Sequence, residues 1–97
     1  MWIGWIEFDL LLGDVHSLKE KRAVVRPLVA ELRRRFQFSA AEVGHLDLHR
    51  RALIGIGCVG PDHGHLTEVL DSAEVLVAGR GEFELLSAHR GFSRSDD

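Results

Sequence analysis

The fold of this chain is set by residues 2–22, which read WIGWIEFDLLLGDVHSLKEKR. In the first half, every second residue falls on one side of an extended chain: Gly4, Ile6, Phe8, Leu10 and Leu12. Gly13 and Asp14 then interrupt the alternation, and Ser17 with Glu20 forms the S-x-x-E pattern of a helix start. The sequence therefore predicts a strand with one wetter face, followed by a helix.

The first helix contains a proline. Its apolar positions repeat with a helical period, at Leu18, Val25, Leu28, Val29, Leu32 and Phe36. Pro27 lies inside this pattern, where it removes one backbone hydrogen bond at a cost of about 3 kcal/mol. Two arrangements fit, a helix that bends near Ala23 or a separate turn over residues 18–24 that leads into the helix. We favour the single bent helix.

Three further strands and a second helix follow. Residues 38–43 and 52–59 are predicted strands, the second richer in β-branched residues. Asp62 can cap a helix with a clean apolar stripe that closes at Gly79. Residues 82–89 alternate again as a fourth strand.

The order β-α-β-β-α-β is typical of an α+β, ferredoxin-like fold with both helices on one face of a four-stranded antiparallel sheet. Right-handed crossovers give the strand order 4-1-3-2. We expect one domain over residues 1–90 and a flexible tail over residues 91–97, which are rich in glycine, serine and charge. Ile54, Ile56 and Cys58 should meet the first strand beneath the helices.

Composition excludes several classes of protein. The 97 residues hold 12 basic and 15 acidic side chains, a net charge of −3, which argues against coating nucleic acid by bulk charge but permits a local basic patch. The single cysteine cannot form an internal disulfide. Because no apolar run approaches about 18 residues, we expect a soluble, cytoplasmic protein without a membrane partner.

Three motifs stand out in the sequence: HSLKEKR at residues 16–22, Ala41-Glu42-Val43, and an Asp47-Leu48 pair before the glycine-bearing strand. Together these motifs resemble the YlxP-like family of small bacterial proteins. The resemblance implies a ferredoxin-like fold and carries no established activity. Genes of that family often lie among those for translation factors and ribosome maturation, which implies a link to RNA or the ribosome.

A mostly basic edge is predicted where the loop after strand one meets the hairpin between strands two and three. The candidate contacts for RNA or a protein partner are His16, Lys19, Lys21, Arg22, Arg50 and Arg51. Two structural alternatives remain open. The edge could be solvated by capping and local ion pairs, or Lys21 and Arg22 could pin the hairpin by bonding its carbonyls or Asp47.

A second basic run, Arg33-Arg34-Arg35, ends the first helix and suits the helix dipole. It is predicted to lie at the opposite end of the molecule from the HSLKEKR run. The two runs therefore need not form one continuous track.

The sheet face away from the helices is predicted to be open. Its candidate self-association residues are Trp5, Leu11, Leu53 and Val59. RNA binding on this face is disfavoured because Glu7 and Asp9 would repel phosphate. The alternative to self-association is purely structural: Trp5 lies flat over Gly55 and Gly57.

No catalytic residue, cofactor or small-molecule substrate is predicted. Cys58 lies mid-strand without an evident base, and His45, Asp47 and His49 form only a weak candidate zinc site. The leading hypothesis is a non-enzymatic accessory protein in translation or ribosome maturation that binds the ribosome or its RNA. The alternatives are a homo-oligomeric interaction module and, third, a metal-binding protein.

Overall fold

The structure is a computed structural model that describes residues 1–96. The strands are Trp2–Leu12 (β1), Ser39–Gly44 (β2), Arg51–Gly60 (β3) and Phe83–Arg94 (β4), and the helices are Leu18–Phe36 (α1) and His63–Ala78 (α2). The sheet order is β2-β3-β1-β4, and every neighbouring pair is antiparallel. This is the predicted ferredoxin-like arrangement, because 2-3-1-4 is the same order as 4-1-3-2.

The register of the central strands divides the sheet into the two expected faces. Ile6 lies opposite Ile56 and Phe8 opposite Ile54, and these four side chains are buried in the core. Trp5 lies opposite Gly57, on the other face. The alternation in β1 and β3 therefore predicted correctly which side chains the helices cover.

Side-chain caps fix the starts of both helices. The Ser17 hydroxyl accepts a hydrogen bond from the Glu20 amide at 3.1 Å. The Asp62 carboxylate accepts from the Gly64 and His65 amides, both at 3.3 Å. These bonds satisfy amides that have no partner within the helix.

Helix α1 runs through Pro27 without interruption, so residues 18–24 belong to it and form no separate turn. The structure thus has a single first helix, as favoured from the sequence. Neither helix within residues 1–96 is long and apolar enough to cross a membrane.

The prediction of a flexible tail from residue 91 onward is wrong for residues 91–94. Strand β4 continues to Arg94, with Phe92 opposite Gly4 and Arg94 opposite Trp2. The Phe92 side chain packs against the core, which is the physical reason that this end joins the sheet. Asp97, the last residue of the predicted tail, lies outside the described residues.

Candidate functional site

Lys21, a predicted RNA contact, is a structural residue. Only 2% of its side chain is exposed. Its Nζ donates to the carbonyl oxygens of His45 and Leu48, both at 2.7 Å, and lies 2.7 Å from Glu42 Oε2. The ammonium group thus donates to two carbonyls, and its charge is balanced by the Glu42 carboxylate. Lys21 therefore pins the β2–β3 hairpin to α1, as one of the structural alternatives proposed, and is not available to a partner.

Arg50 and Arg51 are also engaged within the fold. The Nε of Arg50 donates to the carbonyls of Leu12 and Gly13 at 3.2 and 3.0 Å. Arg51 forms a bidentate ion pair with Asp9, with Nη2 donating to both carboxylate oxygens at 2.8 and 2.7 Å. These contacts tie the start of β3 to β1 and to the loop that follows it. Lys21 is buried and Arg51 is ion-paired, whereas Arg50 stays exposed and has no carboxylate partner within residues 1–96.

The other three members of the predicted edge are exposed. His16 Nε2 lies 2.5 Å from Asp14 Oδ1, and both side chains are in solvent. Lys19 and Arg22 are exposed on α1, and neither has a carboxylate partner within residues 1–96. Of the predicted contacts, Lys19, Arg22 and Arg50 are exposed cations without a carboxylate partner within residues 1–96.

Four cations form a continuous line on α1, which we call the α1 basic stripe: Lys19, Arg22, Arg26 and Arg33. At about 100° per residue these positions fall within a sector of about 60°, and at 1.5 Å per residue they span about 21 Å. All four side chains are exposed. The stripe joins the HSLKEKR run to Arg33, the start of the second basic run, so the two runs are linked along α1.

The stripe is not neutralised by acidic side chains within the described part of the chain. Four of the five arginines outside α1 in the described part of the chain pair with carboxylates: Arg51 with Asp9, Arg80 with Glu31 and Glu82, Arg90 with Asp71 and Glu74, and Arg94 with Asp96. Glu42 lies beside the stripe, but its carboxylate is paired with Lys21. A protein of net charge −3 therefore carries one local positive surface.

A groove of about 500 Å³ runs between α1 and β2 beside the stripe. Arg22, Arg26 and Arg33 line it together with the apolar side chains of Val25 and Val29. The apolar lining lets the arginine stems lie along the groove while their guanidinium groups reach water.

Arg33 lies between this groove and the open face of the sheet. Its Nε donates to the carbonyl of Ala40 at 2.9 Å, which caps an outward-facing acceptor of the edge strand β2. The same side chain lines both the groove beside α1 and a hollow on the open sheet face. Arg33 therefore lies where the two surfaces meet.

The hollow, which we call the open-face hollow, has a volume of about 750 Å³. Side chains from β1, from β2 and the residue before it, and from the end of α1 surround it: Trp5, Glu7, Arg33, Phe38, Ser39, Ala41 and Val43. Gly55 and Gly57 of β3 form its floor. A Cβ added at Gly57 would find its nearest neighbour, the Gly4 carbonyl oxygen, at 3.9 Å. The floor at Gly57 is therefore bare backbone.

Gly57 is uncovered because the Trp5 indole leans toward β4, while Val43 covers Gly55. The indole covers Gly91 of β4, where an added Cβ would lie 2.7 Å from Trp5 Cε2. The indole also makes an edge contact with His89, with ring centroids 5.3 Å apart. The alternative in which Trp5 lies flat over Gly55 and Gly57 is therefore wrong. Sequence reasoning missed this arrangement because the fourth strand was predicted to end at residue 89.

Comparison with known proteins places this chain in a family. A family model described as a protein of unknown function, DUF503, matches residues 3–90. The chain belongs to the DUF503 family. It is 37% identical over 57 residues to the uncharacterized protein YlxP of Bacillus subtilis (strain 168), a match that covers 59% of this chain and 62% of that protein. The resemblance to YlxP-like proteins is thereby confirmed, although the match spans less than two thirds of the length of YlxP.

A solved structure shares the fold of this DUF503 protein. A variant of SnoaB, a cofactor-independent oxygenase from Streptomyces nogalater, aligns with a TM-score of 0.50 over 99% of this chain and 94% of its own. The two sequences are 11% identical. At that identity the likeness concerns the ferredoxin-like fold alone.

The residues predicted for self-association do not form one continuous apolar patch in this DUF503 protein. Val59 is 63% exposed, whereas Trp5, Leu11 and Leu53 are half-buried. The ion pair of Asp9 with Arg51 lies among them.

The weak zinc candidates are not brought together. His45 adopts a left-handed backbone conformation, with φ 56°, and its Nε2 lies 3.5 Å from Asp9 Oδ1. Asp47 and His49 are exposed. Across residues 1–96, no three His, Cys, Asp or Glu side chains are grouped closely enough to hold a metal ion.

Cys58 is half-buried and packs against the core. Burial raises the pKa of its thiol, and a backbone hydrogen bond with Gly4 offsets part of that rise. The thiol form is therefore favoured at neutral pH, opposite to what a nucleophilic cysteine requires.

Proposed function

We propose that this DUF503 protein is a non-enzymatic RNA-binding protein that contacts the RNA backbone through the α1 basic stripe. The observation that carries the proposal is the line of four exposed cations without carboxylate partners within residues 1–96. The link of YlxP-like genes to translation factors makes the ribosome or its RNA the expected partner.

The chemistry of the stripe suits phosphate. Arginine presents several N–H donors in a planar fork that matches two phosphate oxygens, and three of the four cations are arginines. The stripe is confined to one helix, so the acidic surplus elsewhere does not oppose binding at that surface. The expected partner is therefore a polyanion of extended shape, which an RNA backbone supplies.

A non-enzymatic role fits the state of the reactive side chains. The pKa of Cys58 is raised by burial, so little thiolate is present at neutral pH. Asp9 is occupied by its ion pair with Arg51. The Lys21 ammonium donates to two carbonyls and is paired with the Glu42 carboxylate. These groups stabilise the fold and are not poised for general acid or base work.

Filter binding to ribosomal RNA tests the proposal with a matched pair of variants. We expect the Arg22→Ala, Arg26→Ala double variant to bind at least tenfold more weakly than the unmodified protein. The control is the Arg34→Ala, Arg35→Ala double variant, which removes the same charge from the same helix but off the stripe. Equal losses in both variants, or no loss in the first, would overturn the assigned surface.

A second candidate function, self-association through the open sheet face, is favoured by one observation. Val59 is 63% exposed and lies opposite Ile3, which is 36% exposed, so two apolar side chains meet solvent together. Light scattering tests this candidate. A mass of twice 10.9 kDa that falls to the monomer in Val59→Lys would support it, and a monomer at micromolar concentration in the unmodified protein would remove it.

A further inference from the structure

We infer that the open-face hollow accepts one unpaired nucleobase of an RNA strand whose phosphates lie on the α1 basic stripe. The inference deepens the proposed function and rests on it. It adds a preference for single strands over duplexes and for some bases over others.

Arg33 provides the connection between the phosphates and the base. The side chain lines both the groove of the stripe and the hollow, and its Nε is held by the Ala40 carbonyl at 2.9 Å. The guanidinium is thus fixed at the β2 edge. A strand that follows the stripe toward the end of α1 reaches Arg33, where its next base meets the opening of the hollow.

The hollow is large enough to hold a base and has an aromatic side chain beside it. Its volume of about 750 Å³ lies within the range of small-molecule sites, which runs from about 300 to 1,000 Å³. Trp5 supplies an aromatic wall, and bases of single-stranded RNA stack on such side chains. The bare backbone at Gly57 leaves room for a flat group to lie against the sheet.

Polar groups in the hollow would read the edge of the base. Glu7 contributes a carboxylate and Ser39 a hydroxyl. A carboxylate accepts hydrogen bonds from an exocyclic amino group, such as N4 of cytosine. Uracil has no amino group, so we expect cytosine to be preferred over uracil. A base stacked inside a duplex cannot enter the hollow, so the occupant has to be unpaired.

The acidic residues of this face do not oppose the arrangement. Repulsion of phosphate by Glu7 and Asp9 was the reason to disfavour RNA on the open face. The structure neutralises Asp9 through Arg51, with N–O distances of 2.7 and 2.8 Å. The phosphates are assigned to the stripe beyond Arg33, and only the uncharged base enters beside Glu7.

The experiment compares two probes of equal length by fluorescence anisotropy: a 12-nucleotide oligocytidylate and the same ribose-phosphate chain without bases. The unmodified protein is expected to bind oligocytidylate at least tenfold more tightly than the abasic chain, because stacking adds to the phosphate contacts. Oligouridylate of the same length should bind more weakly than oligocytidylate. Glu7→Ala should abolish that difference.

Gly57→Val fills the hollow with a strand-forming residue at a position where its Cβ has space. We expect the preference for oligocytidylate over the abasic chain to fall to within twofold. The matched control is Ser93→Val, which adds the same side chain to the open face outside the hollow. Its preference should equal that of the unmodified protein.

A second measurement needs no substitution in the hollow, so it tests the inference even if Gly57→Val does not fold. The chain has two tryptophans, so Trp2→Phe leaves Trp5 as the sole emitter. Its emission should be quenched by oligocytidylate and unchanged by the abasic chain. Absence of quenching, or equal affinity of the unmodified protein for both probes, would overturn the inference while the proposed function stands. Failure to bind either probe would overturn the proposed function itself.

Discussion

Among residues 1–96, Lys21 is the charged side chain that the structure buries, and its contacts hold the β2–β3 hairpin against α1. A buried ammonium is tolerated only when its charge is compensated, and here two carbonyls accept its hydrogen bonds and the Glu42 carboxylate pairs with it. The HSLKEKR run thus combines two roles. Lys21 organises the fold, while Lys19 and Arg22, two positions and one position away, point into solvent.

Replacing Lys21 by alanine should destabilise the protein strongly. The change leaves two carbonyls and the partly exposed Glu42 carboxylate without their partner, at a cost of roughly 3 kcal/mol. Urea unfolding followed by circular dichroism measures the difference. Lys19→Ala is the control, because its exposed side chain has no such partners and should cost less than about 0.5 kcal/mol. Equal stability of the two variants would contradict the assigned role of Lys21.

The Cys58 thiol should react slowly with alkylating reagents at neutral pH in the native protein. Burial raises its pKa, so the reactive thiolate is scarce, and the rate should rise as pH increases. In the unfolded chain the pKa of a cysteine thiol is about 8.5. Above that pH the unfolded chain ionises before the native protein does, so the free energy of unfolding should fall relative to that of Cys58→Ala as pH rises. Stopped-flow reaction with a disulfide reagent measures the rate. Reaction at pH 7 as fast as that of the urea-unfolded chain would refute this assignment.

At the scale of elements, the alternation in β1 and β3 and the caps Ser17 and Asp62 were sufficient to predict the order of strands and helices. The C-terminal end of β4 was not predictable in the same way. Its residues are polar or glycine apart from Phe92, and they join the sheet because Phe92 reaches the core. The position of the Trp5 indole depends on that pairing, so the open-face hollow could not be predicted either.

Gly91 is required by the contact between β4 and β1. An added Cβ would lie 2.7 Å from Trp5 Cε2, so Gly91→Ala should displace the indole and cost roughly 1 to 3 kcal/mol. Thermal unfolding measures the cost, and the wavelength of tryptophan emission reports the displacement. Gly81→Ala is the matched control, because an added Cβ there meets nothing within 4 Å. Unchanged stability and emission in Gly91→Ala would contradict the described position of Trp5.

At the scale of the whole molecule, the distribution of charge matters more than its sum. The arginines away from α1 are largely paired with carboxylates, whereas the α1 basic stripe is not. Part of this surface could be read from the sequence, since Arg22, Arg26 and Arg33 are four and seven residues apart, close to whole helical turns. The roles of Lys21, Arg50 and Arg51 could not, because they depend on which carbonyls and carboxylates the tertiary fold brings within reach.

The salt dependence of RNA binding tests the central claim most directly. For single strands, each phosphate neutralised contributes about −0.7 to the slope of log K against log salt concentration, so four contacts give a slope of about −3. Arg22→Ala, Arg26→Ala should reduce its magnitude to about 1.5, while Arg34→Ala, Arg35→Ala leaves it unchanged. A slope that is the same in all three proteins, or no measurable binding at low salt, would contradict the claim that the α1 basic stripe binds the RNA backbone.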